Sequence, residues 1–217
     1  MKRVLLYSGG WDSYCASKIY PDAKKIYVNL HTPYSEKELK SLPSDVEIQD
    51  IDLQRYCLSD GAHIAQRNAI LALIGSASVM PIAEKDGDTD IEVYICGVSE
   101  DLNVSAPDKS PEYFELLSKL ASKFVFYGQG YNIKVKGFFE YDKISLWEKA
   151  GKPDMRNIVS CYEGNNCGKC IACKRRMLYL DYLYPGEYDI DRKAIIKELQ
   201  EKDWIINKRI LDRVKGE

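Results

Sequence analysis

Two stretches of the 217-residue chain carry residue types whose spacing can do chemistry. In the first, Tyr7-Ser8-Gly9-Gly10-Trp11-Asp12-Ser13 follows the apolar run Val4-Leu5-Leu6. Adjacent glycines let a backbone turn tightly and expose consecutive N–H groups. At a helix N-terminus such groups form an anion nest, which the helix dipole reinforces for phosphate. Ser8 and Ser13 add hydroxyl donors, and Asp12 can cap the helix or hold a magnesium-bound phosphate. The string is neither G-x-G-x-x-G nor a Walker loop, because no lysine follows the glycines. Ser-Gly-Gly alone also suits a plain tight turn with Asp12 as the helix cap.

The second stretch is Cys161-x5-Cys167-x2-Cys170-x2-Cys173. Four thiolates at this spacing suit a tetrahedral zinc ion, and a closed set of four cysteines is structural, not catalytic. An iron–sulfur cluster, a redox pair or chance clustering are the competing readings. In the Cys167-Gly168-Lys169-Cys170 turn, Gly168 lets N–H groups approach sulfur, while Lys169, Lys174, Arg175 and Arg176 would soften the charge of a metal–thiolate centre. The alternative for the last three is a solvated helix face. Cys15, Cys57 and Cys96 stand apart and read as packing residues. The two histidines, His31 and His63, leave little room for a histidine metal site or triad.

The elements that must position these groups alternate. Strands are expected at 2–7, 25–30, 46–53, 91–96 and 132–139, and helices at 12–20, 34–42, 64–79, 111–122 and 142–149. Strands separated by helices imply crossover connections and a doubly wound, mostly parallel α/β sheet, with the Ser8 turn at the carboxyl end of a central strand. After Gly151 the pattern changes to the cysteine knot, a helix over about 170–182 and two amphipathic segments at 191–200 and 203–214. The organisation is therefore a nucleotide-binding α/β part over 1–151 and a cysteine-bearing appendage over 152–217, expected to form one continuous domain.

Composition bounds the partners. Thirty-one Lys and Arg against 33 Asp and Glu give a net charge of −2, which supplies no field for long nucleic acid. The longest apolar stretch, Ala69 to Ala83, is too short and interrupted to span a bilayer, so a soluble cytoplasmic protein is expected.

The full string Ser-Gly-Gly-x-Asp-Ser after a first strand resembles the pyrophosphate loop of the N-type ATP pyrophosphatases. Together with the cysteine knot, in this order, it resembles the QueC family of 7-cyano-7-deazaguanine synthases. The likeness includes Arg67-Asn68 opening an apolar helix and Cys96-Gly97-Val98-Ser99-Glu100-Asp101 at a strand end. It continues through Pro107-Asp108 with Glu112-Tyr113-Phe114, and through Ser160-Cys161-Tyr162 and Cys167 to Arg176. The chain departs from the family at Asn29-Leu30-His31-Thr32, where members carry Asp-Tyr-Gly-Gln-like residues, at Trp11, and at Ala106 and Lys109. Its Cys161–Cys167 loop is also short.

The resemblance implies an ATP-dependent carbon–nitrogen ligase containing Zn²⁺ and using Mg²⁺. It would convert 7-carboxy-7-deazaguanine and ammonia, through an acyl-adenylate and an amide, to the nitrile. It assigns Ser8, Gly9, Gly10, Asp12 and Ser13 to the phosphates, and Arg67 to a phosphate or carboxylate. Asp101 and Asp108 become candidates for magnesium or substrate contacts, and Cys161, Cys167, Cys170 and Cys173 bind the metal. Tyr162 is a candidate for stacking on a purine. A homodimer, with the helices after Asp189 as its interface, follows by the same analogy. The alternatives are a relative that stops at the amide or uses another amine, a tRNA-thiolating ATP pyrophosphatase, and a zinc-ribbon binding module.

Overall fold

The computed structural model describes residues 1–58, 64–102, 108–123, 125, 126, 129–161 and 166–216. The elements run β1 (Lys2–Leu6), α1 (Trp11–Ile19), β2 (Lys24–Asn29), α2 (Ser35–Ser41), β3 (Glu47–Asp50), α3 (Arg67–Lys85) and β4 (Asp90–Val98). Then come α4 (Pro111–Ala121), β5 (Val125–Phe126), β6 (Gln129–Gly130), β7 (Asn132–Phe138), α5 (Lys143–Lys149), α6 (Ile171–Leu183), α7 (Arg192–Glu201) and α8 (Lys208–Gly216). Five strands form one parallel sheet in the order β3-β2-β1-β4-β7, and β5 and β6 make a short antiparallel pair. The chain winds outward from β1 to β3 and then crosses to β4 on the other side of β1. The turn after β1 therefore lies at the topological switch point, where open α/β sheets bind ligands.

The β1 run is apolar at consecutive positions because both sheet faces are covered. Leu5 and Tyr7 face one cluster with Tyr27 and Tyr94, packed under α1, α5 and α6. Val4 and Leu6 face the other with Ile26, Val28 and Val93, packed under α3 and α4. Leu178, Leu199 and Ile210, from α6, α7 and α8, belong to the same cluster as Leu5. The C-terminal helices thus spend apolar side chains on the core of their own chain.

The boundaries that differ most from the sequence-based expectation are those of two helices. The helix expected over 64–79 begins at Arg67, after Gln66 in the left-handed region, and Ile64 is bridged to Cys57 instead. It then runs through Pro81 to Lys85. Pro81 is exposed while Val79 and Ala83 are buried, so packing of the last turns outweighs the lost hydrogen bond. The segment expected to be helical over 203–214 starts only at Lys208, because Asp203 is left-handed and Asn207 caps the start by accepting the Arg209 N–H at 2.9 Å. Among the described residues, no helix is long and apolar enough to cross a membrane.

Candidate functional site

The phosphate-type loop is shaped by its glycines. Gly9 has φ +75°, a left-handed conformation in which a side chain would be strained. Gly10 is the N-cap of α1 and brings no side chain to cap that helix. The first N–H groups of α1 therefore receive no bond from the N-cap residue, which is the arrangement that attracts an anion. Ser13 Oγ donates to the Gly10 carbonyl at 3.1 Å and lies 3.4 Å from Ser8 Oγ. Asp12 does not cap α1 but is its second residue, and both its carboxylate oxygens accept from Lys143 Nζ at 2.5 Å.

Two cavities open beside this loop. One, of about 320 Å³, lies over the carboxyl ends of β1, β2 and β4, with Leu6, Val28 and Ile95 on its walls and Asp12, Arg67 and Lys109 among its charged groups. The other, of about 230 Å³, lies between the loop and the C-terminal region. Its cations are Lys37, Lys143, Arg175 and Arg176, and Trp11 and Trp204 are among its aromatic residues. Ser8, Tyr34 and Glu38 line both. One chamber thus mixes aliphatic and charged groups, and the other brings cations together with aromatic residues.

The remaining expected residues fall as follows. Arg67, the first residue of α3, lines the larger cavity. Asp101 and Asp108 line neither cavity among the described residues. Asp101 Oδ2 accepts the Val98 N–H at 3.0 Å and Oδ1 lies 3.9 Å from Lys109 Nζ. Asp108 accepts from Asn68 Nδ2 at 2.9 Å. Each aspartate therefore holds a neighbour, Lys109 or Asn68, that does reach the cavity wall. Tyr162, His63 and Pro107 lie outside the described residues. Cys15 is fully buried and burial pushes its thiol up to about 12, with Asp12 adding to the effect and Lys143 opposing it. Burial likewise raises Cys96, so both read as packing residues.

Lys143 and Glu38 were not legible as site residues, since a lysine opening a helix and a glutamate in a charged helix both read as solvent-facing. Arg175 was legible but misplaced. Instead of a solvated face, its side chain is 15% exposed and pairs with Glu100 Oε2 at 3.2 Å. Its guanidinium lies 5.2 Å from the Trp204 ring centroid and 5.8 Å from that of Tyr179. Glu100, 6% exposed, also accepts from Tyr179 Oη at 2.7 Å and Asn207 Nδ2 at 2.9 Å. This node joins the end of β4 to α6 and to the segment before α8. The Nε atoms of Arg175 and Arg176 are buried without a partner among the described residues.

The four cysteine sulfurs all lie within 4.8 Å of one another. Cys167 to Cys173 and Cys161 to Cys170 are 4.0 Å apart, far beyond a disulfide bond. A tetrahedral ion with Zn–S bonds of about 2.3 Å sets sulfurs about 3.8 Å apart, so this donor set fits one such metal ion. Lys169 and Cys170 donate their N–H groups to Cys167 Sγ at 3.4 Å, and Gly168 makes that turn with φ +73°. These bonds stabilise a thiolate. Cys161 also borders the smaller cavity, which sets the metal-type centre against the second chamber.

A doubly wound parallel sheet, an anion-type loop at its switch point and four convergent thiols define an α/β protein with a ligand crevice backed by a metal-type centre. The model of the family described as "Queuosine biosynthesis protein QueC" matches residues 44–181, and the chain belongs to that family. It is similar to the 7-cyano-7-deazaguanine synthase of Prochlorococcus marinus strain NATL2A, 26% identical over 209 residues that cover 80% of this chain and 90% of the relative. The 7-cyano-7-deazaguanine synthase of strain NATL1A is 25% identical over the same shares. Membership of this family supports ligase chemistry on small-molecule substrates in the formation of 7-deazaguanines.

Proposed function

We propose that the chain is an ATP-dependent carbon–nitrogen ligase that couples ammonia to 7-carboxy-7-deazaguanine, and carries the resulting amide to 7-cyano-7-deazaguanine in a second ATP-consuming round. The observation that carries this reading is the position of Ser8, at the start of the anion-type loop and on the wall of both cavities. An acyl-adenylate forms only where the α-phosphate of ATP and a carboxylate meet, and a loop bordering two chambers provides that meeting point.

On this reading the nucleotide occupies the chamber at the strand ends. Its aliphatic residues, Leu6, Val28 and Ile95 among them, suit a base, and Arg67 and Lys109 suit phosphate oxygens. The acid occupies the chamber between Trp11 and Trp204, where Lys143 and Arg175 supply positive charge for its carboxylate. The Ser8–Ser13 loop and the uncapped start of α1 hold the departing pyrophosphate, whose charge Mg²⁺ shares when bound with ATP. Asp101 and Asp108 act by holding Lys109 and Asn68. The four cysteines hold zinc, which supplies a structural clamp at the start of α6.

The test is incubation with ATP, Mg²⁺, ammonium and 7-carboxy-7-deazaguanine. Amide or nitrile formed together with AMP and pyrophosphate is the expected result. Unchanged acid, with AMP released only when tRNA is present, would transfer the chain to the thiolating reading. No AMP under any of these conditions would leave it a binding module.

A further inference from the structure

We infer that Glu38 is the proton acceptor for carbon–nitrogen bond formation at this site, an inference that rests on the function proposed above. Ammonia attacks as the free base, and the bond it forms is completed only when the nitrogen gives up a proton. When its lone pair attacks the acyl carbon of the adenylate, the new C–N bond carries a positive nitrogen. One N–H proton must leave before the C–O bond to the phosphate breaks and AMP departs with that electron pair. The second round makes the same demand twice, since the amide nitrogen loses both its protons while its oxygen leaves on AMP. A base must therefore stand where nucleotide and acid meet.

Among the described residues, only two carboxylates line the cavities, Asp12 and Glu38. Asp12 is engaged through both oxygens by Lys143, whereas Glu38 takes no lysine or arginine in an ion pair among the described residues. Glu38 is the carboxylate common to both chambers, on the partition it shares with Ser8 and Tyr34. Its Oε2 accepts from Tyr27 Oη at 2.7 Å, a bond from β2 that sets the side chain's direction. The groups facing it are that phenol, the Arg67 guanidinium, and, along the cavity walls, Tyr34, Lys37, Asp12 and Lys143. Burial raises the Glu38 carboxyl above the ordinary range, while the Tyr27 bond and the Arg67 charge work against the rise. A raised carboxyl is a stronger base than an ordinary one, which favours proton transfer to it.

The test separates adenylation from nitrogen transfer. Acid-dependent exchange of labelled pyrophosphate into ATP reads the first, and amide release with ammonium reads the second. Glu38→Gln is expected to keep exchange close to the wild-type rate while amide formation falls by about 100-fold, the usual worth of a positioned base. Glu38→Asp should recover part of that loss. Tyr27→Phe removes a hydrogen bond that favours the ionised form, so the rising limb of amide formation should move to higher pH. Full-rate amide formation by Glu38→Gln, equal loss of exchange and amide, or an unmoved limb in Tyr27→Phe would each overturn the assignment. A wild-type protein with no acid-dependent exchange would instead overturn the proposed function, and this inference with it.

Discussion

Lys143 holds Asp12 through both carboxylate oxygens at 2.5 Å, across 131 residues of sequence. The pair joins the second residue of α1 to the first of α5, and the two side chains are 19% and 12% exposed. It neutralises a carboxylate that would otherwise repel an anion at the proposed phosphate loop.

Replacing Asp12 by Ala should lower acid-dependent AMP formation by about two to three orders of magnitude, the range seen when one preorganised electrostatic group is lost. The fold should survive, because the pair borders a water-accessible cavity and its net worth is about 1–2 kcal/mol. Rates and a urea midpoint for Asp12→Ala and Lys143→Met check this; undiminished turnover in Asp12→Ala would remove the loop from the reaction.

Lys143 is positioned by the residue before it. Asp142 caps α5, accepting the Ser145 N–H at 2.7 Å while Ser145 Oγ receives the Asp142 N–H at 2.9 Å. Asp142→Ala should cost about 1 kcal/mol and slow adenylation by loosening Lys143. Burial alone would raise the Asp142 carboxyl, but the bonds from Ser145 and Asn207 and the Arg209 charge hold it below the ordinary range. A depressed folded value stabilises the protein above the unfolded value, near pH 4, and that stabilisation fades as the pH falls through the folded value. Acid titration of stability should therefore flatten in this window for Asp142→Asn; an identical acid limb would show that Asp142 adds nothing there.

Glu100 is a node with three donors in a nearly dry setting. Glu100→Ala strands the Arg175 charge and two further donors, so a loss of about 3–5 kcal/mol is expected. Glu100→Gln keeps an oxygen for Tyr179 and Asn207 and should lose less. Denaturant midpoints of the two variants decide the order, and equal losses would place the cost in packing and not in charge.

Cys167 receives two backbone N–H groups as well as standing in the sulfur cluster. Cys167→Ser should lose stoichiometric metal and melt at lower temperature, because the free energy of a structural metal is folding free energy. Elemental analysis checks both protein forms; iron in the wild type, or no metal, would overturn zinc.

Legibility in the sequence followed range. The Ser8–Ser13 loop and the cysteine cluster are local, and their residue types and spacing single them out as candidate sites before any fold is known. The parallel strands were equally plain, since apolar runs of the β1 kind arise when both faces of a sheet are buried. What escaped was chemistry assembled from distant parts. Lys143 meets Asp12, Glu100 meets Arg175, and Trp204 comes over the same guanidinium only after β4, α6 and the segment before α8 have packed. No local pattern marks such residues, because charged side chains near helix starts usually face water. Asp101 and Asp108 each add a local bond that their types did not announce, accepting from Val98 N–H and Asn68 Nδ2.

Under the proposed function, the partition of Ser8, Tyr34 and Glu38 bears on how one protein drives two successive couplings. Two adjoining chambers would let spent adenylate be exchanged for a fresh triphosphate while the half-finished organic molecule stays in the other. The enzyme would then work processively, handing its intermediate from the first turnover to the next in situ, and little free amide would build up in the surrounding solution.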